Sequence, residues 1–138
     1  MTLNRYMAID YGRSRVGIAL SDPLLTIARP LLTLANDNEH LCNEISKIIE
    51  LQNVVKIVVG LPLSMNGEDS AFTLEVREFA SKLEKKLQIK VILWDERLSS
   101  DEARNILRNS GYSLAQSKKK VDQLAATLIL QDYLDSSK

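Results

Sequence analysis

Cysteine, histidine, aromatic residues and net charge are all scarce in this sequence of 138 residues. The single cysteine, Cys42, excludes an internal disulfide, and with the single histidine, His40, it lacks the companions that a His/Cys metal site needs. The 18 basic and 18 acidic side chains cancel, so the average charge does not attract nucleic acid at long range. A polyanionic partner would therefore have to meet a local basic patch.

No apolar run in the sequence reaches the length of a membrane span, and no apolar signal segment follows the first few residues. We therefore expect a reduced, soluble protein of the cytoplasm. Hydrophobic residues make up 45% of the chain, which at this length suffices for one domain with a substantial core. The expectation is a single domain that spans residues 1–138.

Short apolar runs rich in β-branched residues predict five strands. Their ranges are 6–10, 16–20, 27–34, 54–59 and 90–94. Short connections between the first three imply antiparallel pairing, and Pro30 suits the third strand to a sheet edge. The run at 54–59, which ends at Gly60, is typical of a fully buried parallel strand.

Apolar residues at helical spacing predict four helices. The first starts near His40, and Asn36, Asp37 and Asn38 are its candidate caps. A loop at 61–70 follows the fourth strand and leads into the second helix. One face of that helix is apolar and consists of Phe72, Val76, Phe79, Leu83 and Leu87.

Two further helices are predicted after the last strand. A Ser-x-x-Glu capping box at 99–102 opens a helix that runs through Leu107 and is closed by Gly111. The final helix is expected to start at Lys119 or Lys120. The side chains that it should bury or pack closely are Leu124, Leu128, Val121, Ala125 and Ala126. The order βββαβαβαα is an α/β pattern with an antiparallel start and parallel later strands.

Three carboxylates lie at element ends that a mixed sheet can bring together. Asp10 ends the first strand, Glu96 follows the last, and Asp122 lies in the first turn of the final helix. A carboxylate at the end of an apolar strand loses solvation unless a metal, a cation or a donor compensates. If the three converge, Mg²⁺ or Mn²⁺ would relieve their repulsion, and two such ions could promote hydrolysis of a phosphodiester.

Each acid also has a purely structural interpretation. Asp10 could cap the hairpin turn around Gly12. An acid in the first turn of a helix, as at Asp122, is favoured by the helix dipole whatever its role. Glu96 could form a surface ion pair with Arg97 or Lys90. The coincidence of the three acids therefore carries more weight than any one of them.

Basic residues flank these acids and are candidates for binding nucleic acid. Lys118, Lys119 and Lys120 would ordinarily be a solvated helix entry, but beside Asp122 they are placed to neutralise phosphates. The residues that could extend this patch are Arg13, Arg15, Arg97 and Arg104. The aromatic residues are placed like core or surface residues, Trp94 among the former, and no motif for base stacking is recognised.

Four blocks of the sequence carry a resemblance to a known family. They are DYGRSRVGIA (10–19) with SD (21–22), GLPL (60–63) with NG (66–67), DERLSS (95–100), and KKVD (119–122) with AA (125–126). With these blocks in this order, the sequence closely resembles the YqgF family, also called RuvX or Holliday-junction-resolvase-like, within the RNase H-like superfamily. The resemblance covers nearly the whole chain.

The resemblance implies an RNase H-like fold with a central mixed five-stranded sheet, and a nuclease proposed to process the 5′ end of precursor 16S ribosomal RNA. It places the catalytic and metal-binding acids of the family at Asp10, Glu96 and Asp122. Turn and loop positions of the same blocks are Gly12, Gly17, Gly60, Pro62, Asn66 and Gly67. Many RNase H-like nucleases hold a fourth acid close after the last one, whereas here the position three after Asp122 is Ala125.

The leading hypothesis is a metal-dependent phosphodiesterase acting on structured RNA and leaving a 5′-phosphate, by analogy with the superfamily. The alternatives are an endonuclease for Holliday junctions or other structured DNA, and a nucleic-acid-binding module without catalysis. A nucleotide-binding domain of the actin and sugar-kinase type also has an Asp-x-Gly hairpin, but the chain is too short for the second hairpin and second domain that it needs. The sequence leaves monomer and dimer open.

Overall fold

The computed structural model describes residues 3–37, 40–96 and 114–136. The strands are β1 (Arg5–Tyr11), β2 (Arg15–Ser21), β3 (Ala28–Ala35), β4 (Val54–Leu61) and β5 (Lys90–Asp95). The described helices are α1 (Leu41–Gln52), α2 (Ala71–Leu87) and α3 (Leu114–Ser136). None of them is long and apolar enough to cross a membrane.

The five strands form one mixed sheet in the order β3-β2-β1-β4-β5. Strand β2 pairs antiparallel with β1 and β3, whereas β4 pairs parallel with β1 and β5. The predicted α/β class, the five-stranded mixed sheet and the edge position of the third strand are confirmed. Pro30 lies opposite Ala19, where the pairing of β2 with β3 shifts register, as expected for a residue without an amide hydrogen.

Alternate residues of the central strand face two different layers of helices. Met7 and Ile9 are fully buried in a core shared with α1 and α2, and Ala8 between them is buried against α3. The α3 face of the sheet carries small residues, including Ala8, Ala19 and Gly17. A Cβ atom on Gly17 would lie only 2.1 Å from the main-chain oxygen of Asp122, so α3 lies almost directly on the sheet there.

Two predictions about the final helix are wrong. It begins at Leu114 rather than at Lys119 or Lys120, because nothing between 114 and 119 breaks a helix. The close packing predicted for Ala125 and Ala126 is confirmed, and the helix also buries Ile129, Leu130 and Leu134, whereas the predicted Val121, Leu124 and Leu128 are only half-buried. Because the sheet face under α3 carries small residues, the helix backbone packs close to it, and small side chains such as Ala125 and Ala126 fit between them.

The predicted caps of α1 are also wrong. The N-cap residue is His40, and no side chain caps the helix. Asp37 contributes its main-chain oxygen, which accepts from the amides of His40 and Leu41, and Asn36 is engaged in the β1–β2 turn. Asn38 and the helix predicted from the capping box at 99–102 lie outside the described residues.

Candidate active site

Asp10 lies at the carboxyl end of the central strand. It faces Gly17 across the antiparallel pair β1–β2, and the preceding residue, Ile9, is in register with Val59 of β4. Asp10 and Gly60 therefore lie side by side at the carboxyl ends of two parallel strands. In open α/β sheets this edge is where ligands bind.

Glu96 reaches the same place from β5. Its amide donates to the main-chain oxygen of Leu61 at 3.2 Å, which holds the residue after β5 beside the end of β4. A Cβ atom on Gly60 would lie 2.6 Å from Glu96 Oε2 and 2.5 Å from the Cδ1 atom of Ile129. Gly60 thus leaves the space that the Glu96 carboxyl group occupies.

The carboxyl groups of Asp10 and Glu96 meet in this space. Burial raises the pKa of Glu96 to about 7, a hydrogen bond with the Asp10 side chain offsets part of that rise, and the charge of Asp95 adds to it. Glu96 Oε2 is buried and finds no hydrogen-bond partner among the residues that the structure describes. Close to neutral pH the pair therefore retains a proton, which a cation would replace.

Asp122 lies on α3, whose main chain packs directly on Gly17 of β2. Its Oδ2 atom accepts from Arg15 Nε at 2.9 Å, and only 18% of its side chain is exposed. A larger residue at position 17 would clash with the Asp122 backbone and push α3 away from the sheet. Because Gly17 is the cross-strand neighbour of Asp10, such a shift would also move Asp122 away from Asp10. The close packing of α3 thus fixes the distance of Asp122 from the end of β1.

The donor chemistry of this edge suits a hard divalent cation. Asp10 and Glu96 supply carboxylate oxygens, and one of these is the buried Glu96 oxygen without a described partner. Asp122 is not gathered with them: within 3–37, 40–96 and 114–136, no three His, Cys, Asp or Glu side chains form a group that could hold a metal ion. Two of the three predicted ligands are therefore joined, and the third is paired with Arg15.

Three of the predicted basic residues have described side chains. Arg15 binds Asp122, and Arg13 pairs through Nε with Glu75 Oε2 at 2.8 Å while its guanidinium lies over the Phe72 ring. Lys120 is exposed near the start of α3. The other predicted members fall on parts of the chain whose side chains lie outside the described residues, namely Arg97, Arg104, Lys118 and Lys119.

The loop after β4 is an ordered turn. Gly67 has a φ of 83°, in the region that favours glycine, and its amide donates to Ser64 O at 2.8 Å. The Ser64 hydroxyl bonds Asn66 Oδ1, and Pro62 O accepts from the Thr73 hydroxyl. The described contacts of Pro62, Asn66 and Gly67 thus shape the connection from β4 to α2.

The sequence analysis did not predict the two hydrogen bonds by which Asn36 holds the β1–β2 turn. The Asn36 side chain donates to Gly12 O at 2.7 Å, and its amide donates to Ser14 O at 2.9 Å. A Cβ atom on Gly12 would lie 2.5 Å from Arg15 O, so a larger residue in this turn would require the backbone to shift. Asn36 resembled a helix cap because it opens an Asn-Asp-Asn run directly before α1.

Comparisons with known proteins agree on one family. A family model described as "RuvX: Holliday junction resolvase" matches residues 4–136. A protein of Koribacter versatilis named "Putative pre-16S rRNA nuclease" is 43% identical over 132 residues, which cover 95% of this chain and 86% of that protein. A protein of Methylobacillus flagellatus with the same name is 42% identical over 130 residues, which cover 94% and 89%.

The fold also resembles that of a solved structure. The structure of T. thermophilus RuvC in complex with a Holliday junction substrate matches with a TM-score of 0.60. The match covers 96% of this chain and 94% of that chain, at 11% sequence identity. A likeness at this identity establishes the fold.

Proposed function

Because the chain belongs to the RuvX family, we propose that it is a metal-dependent nuclease that processes the 5′ end of precursor 16S ribosomal RNA. The observation that carries this proposal is the pair of touching carboxyl groups, Asp10 and Glu96, at the carboxyl ends of the central strands. Two relatives named for this RNA match at 42–43% identity over nearly the whole chain. Such a substrate places the activity in the cytoplasm, where ribosomes are assembled.

In this proposal Asp10 and Glu96 would hold Mg²⁺ or Mn²⁺, and Asp122, which is paired with Arg15 in the structure, would complete the site when its carboxylate turns to the ion. Bound ions of this kind would supply Lewis-acid chemistry at a phosphodiester, and the expected products carry a 5′-phosphate and a 3′-hydroxyl. Glu96 must first release its proton, since a carboxylate binds a cation only when ionised. Its buried Oε2 atom, next to the bare surface of Gly60, is already desolvated for that role.

Arg15 links the acids to the substrate. Its Nε–H donates to Asp122 Oδ2, and 38% of its side chain remains exposed at the mouth of the site. An RNA phosphate that approaches this edge offers the guanidinium a second anion to bind. Arg15 then orients Asp122 and positions the phosphate at the same time.

Cleavage of a precursor 16S ribosomal RNA fragment tests the proposal. Asp10→Asn and Glu96→Gln should each abolish cleavage in Mg²⁺ or Mn²⁺ while leaving the protein folded. Asp132→Asn, which changes an exposed acid at the far end of α3, is the matched control and should cleave normally. Cleavage by Asp10→Asn at the normal rate would contradict the proposal.

A second candidate substrate is a four-way DNA junction, since the family description names Holliday junction resolution. The same variants assayed on a synthetic junction separate the two substrates. A third possibility, binding without catalysis, is favoured by the Arg15–Asp122 pair, which engages the third acid. Binding of RNA with no product in any divalent ion would support it.

A further inference from the structure

At the same end of β1, on the face of the sheet opposite to Asp10, planar side chains form a column that ends at the protein surface. The Arg13 guanidinium lies 5.0 Å from the centroid of the Phe72 ring, and Phe72 stacks on Tyr11 with centroids 6.2 Å apart and planes 28° apart. Tyr11 in turn contacts Phe79, with ring centroids 4.4 Å apart. We call these four residues the Arg13 column. Its inner end is anchored in the core and its outer end is a cation.

The outer end of the column is held in place but open to solvent. Arg13 Nε donates to Glu75 Oε2 at 2.8 Å, so Phe72 and Glu75, both in the first turns of α2, fix the guanidinium from two sides. Even so, 65% of the Arg13 side chain is exposed. The guanidinium therefore lies between the Phe72 ring and solvent.

This arrangement suits a nucleobase better than a phosphate. Glu75 already accepts from the Nε edge of the guanidinium, so a further ligand meets the exposed remainder of the group, which lies over Phe72. A guanidinium plane backed by an aromatic ring offers a flat, polarisable surface, and unpaired bases of RNA stack on such surfaces. Stacking does not depend on the identity of the base, so the site would bind single-stranded RNA with little sequence preference.

The position of the column relates it to the cleavage site. Tyr11 directly follows Asp10, and the two side chains leave β1 on opposite faces of the sheet because residues alternate along a strand. The column and the acid pair thus flank the same strand end. A base on the column would belong to a nucleotide near the scissile bond, but not to the one that is cleaved.

We propose that the outer face of the Arg13 guanidinium, backed by Phe72, is a stacking site for one unpaired nucleobase of the RNA substrate. The inference rests on the proposed function for the class of substrate, but not for the chemistry of cleavage. It gives Arg13 the role of a residue that positions the RNA strand beside Asp10.

The test uses the full chain and a single-stranded RNA oligonucleotide with the sequence upstream of the mature 16S 5′ end, without divalent metal. Arg13→Lys keeps the charge and removes the plane, and Phe72→Leu removes the ring beneath it. Arg77→Lys is the matched control, because Arg77 is an exposed arginine of α2 paired with Asp69 in the same way. A set of oligonucleotides with one abasic position each locates the stacked base.

Arg13→Lys and Phe72→Leu should each weaken binding of intact RNA by roughly tenfold, the effect of losing one stacked base. Both should bind the RNA that is abasic at the stacked position as the unmodified protein does, and Arg77→Lys should match that protein on every RNA. Equal loss on intact and all abasic RNAs, together with a weaker salt dependence, would show a phosphate contact and overturn the proposal. Unchanged affinity in both variants would also overturn it.

Failure of the proposed nuclease activity gives a different result. If Asp10→Asn does not affect cleavage but the abasic pattern of Arg13→Lys persists, the catalytic assignment fails and the stacking site stands. The opposite result is that Asp10→Asn abolishes cleavage, but Arg13→Lys binds every abasic RNA more weakly than the unmodified protein does. In that case the stacking site alone fails.

Discussion

The Asp10 and Glu96 carboxyl groups share a hydrogen bond at the end of the two central parallel strands, and burial raises the pKa of Glu96 to about 7. The two residues come from β1 and from the end of β5, which are separated in the sheet by β4. Gly60 on β4 lets Glu96 cross that gap, because its missing side chain leaves room for the carboxyl group. The contact between Asp10 and Glu96 therefore depends on the strand order and on the glycine in the strand between them.

The first prediction concerns stability without metal. The pKa of Glu96 lies near 7 in the folded protein and near its ordinary 4.5 in the unfolded chain, so the folded state holds the proton more tightly. The free energy of unfolding should thus be highest below about 4.5 and fall by up to roughly 3 kcal/mol as the pH rises through 7. Chemical denaturation in EDTA at pH 5 and pH 8 measures the change. Glu96→Gln should lack it, and a wild-type protein equally stable at both values would contradict the prediction.

The second prediction links metal binding to the same proton. Mn²⁺ should bind more tightly at pH 8 than at pH 6, because Glu96 must lose its proton to become a ligand. Calorimetric titration in buffers of different ionisation enthalpy counts the protons released. Asp132→Asn should behave like the unmodified protein, whereas Glu96→Gln should lose both the affinity and the proton release. Affinity that is independent of pH would exclude Glu96 as a ligand.

The third prediction compares alanine substitutions at Gly17, which packs against α3, and at Gly60, which packs against Glu96. In Gly17→Ala the new methyl group would lie 2.1 Å from the main-chain oxygen of Asp122. This clash can be relieved only if the backbone of α3 moves away from the sheet. We expect a loss of about 3 kcal/mol or more in the free energy of unfolding. Thermal denaturation measures it, with Ser14→Ala in the exposed turn as control. A Gly17→Ala protein of normal stability would show that α3 does not press on the sheet.

Gly60→Ala should act differently, because the new methyl group meets side-chain atoms of Glu96 and Ile129 that can rotate away. The protein should fold with a smaller loss of stability, about 1–2 kcal/mol, and yet lose cleavage, since Glu96 is displaced from Asp10. A kinetic assay on folded Gly60→Ala protein checks this. Normal activity in that variant would mean that the position of Glu96 is not required.

The fourth prediction concerns the pair Arg15–Asp122. Arg15→Gln removes the cation that engages the Asp122 carboxylate, so Mn²⁺ should bind several-fold more tightly, as expected when a positive charge leaves the neighbourhood of a cation site. The same substitution should weaken RNA binding and reduce its salt dependence, since a phosphate contact is lost. Titration of metal and RNA in parallel measures both effects. Weaker metal binding in Arg15→Gln would contradict the assignment of Asp122 as a ligand.

Much of the fold could be predicted from local patterns. The alternation around Met7, Ala8 and Ile9 sets the two faces of β1, and Pro30 marks the edge strand, because these effects depend on neighbouring residues alone. The start of α3 could not be predicted, since no residue before Lys119 signals or forbids a helix. Its buried stripe depends on the small residues of a sheet that lies far away in the sequence.

The site was predictable as a set of residue types but not as an arrangement. The sequence predicts Asp10, Glu96 and Asp122 as candidate ligands, whereas the contact of the first two depends on Gly60, and the engagement of the third depends on Arg15. The Arg13 column was missed for the same reason: Phe72 lies at an ordinary apolar helix position, and only the tertiary fold brings it beneath Arg13.

The central claim is that Asp10 and Glu96 together hold a divalent cation. The most direct measurement is the anomalous difference density of Mn²⁺ in crystals of the protein grown or soaked at pH 8. We predict a peak in contact with the carboxylate oxygens of both residues, with their mutual hydrogen bond replaced by metal coordination. Mn²⁺ peaks confined to other surfaces, with the Asp10–Glu96 hydrogen bond intact, would contradict the claim.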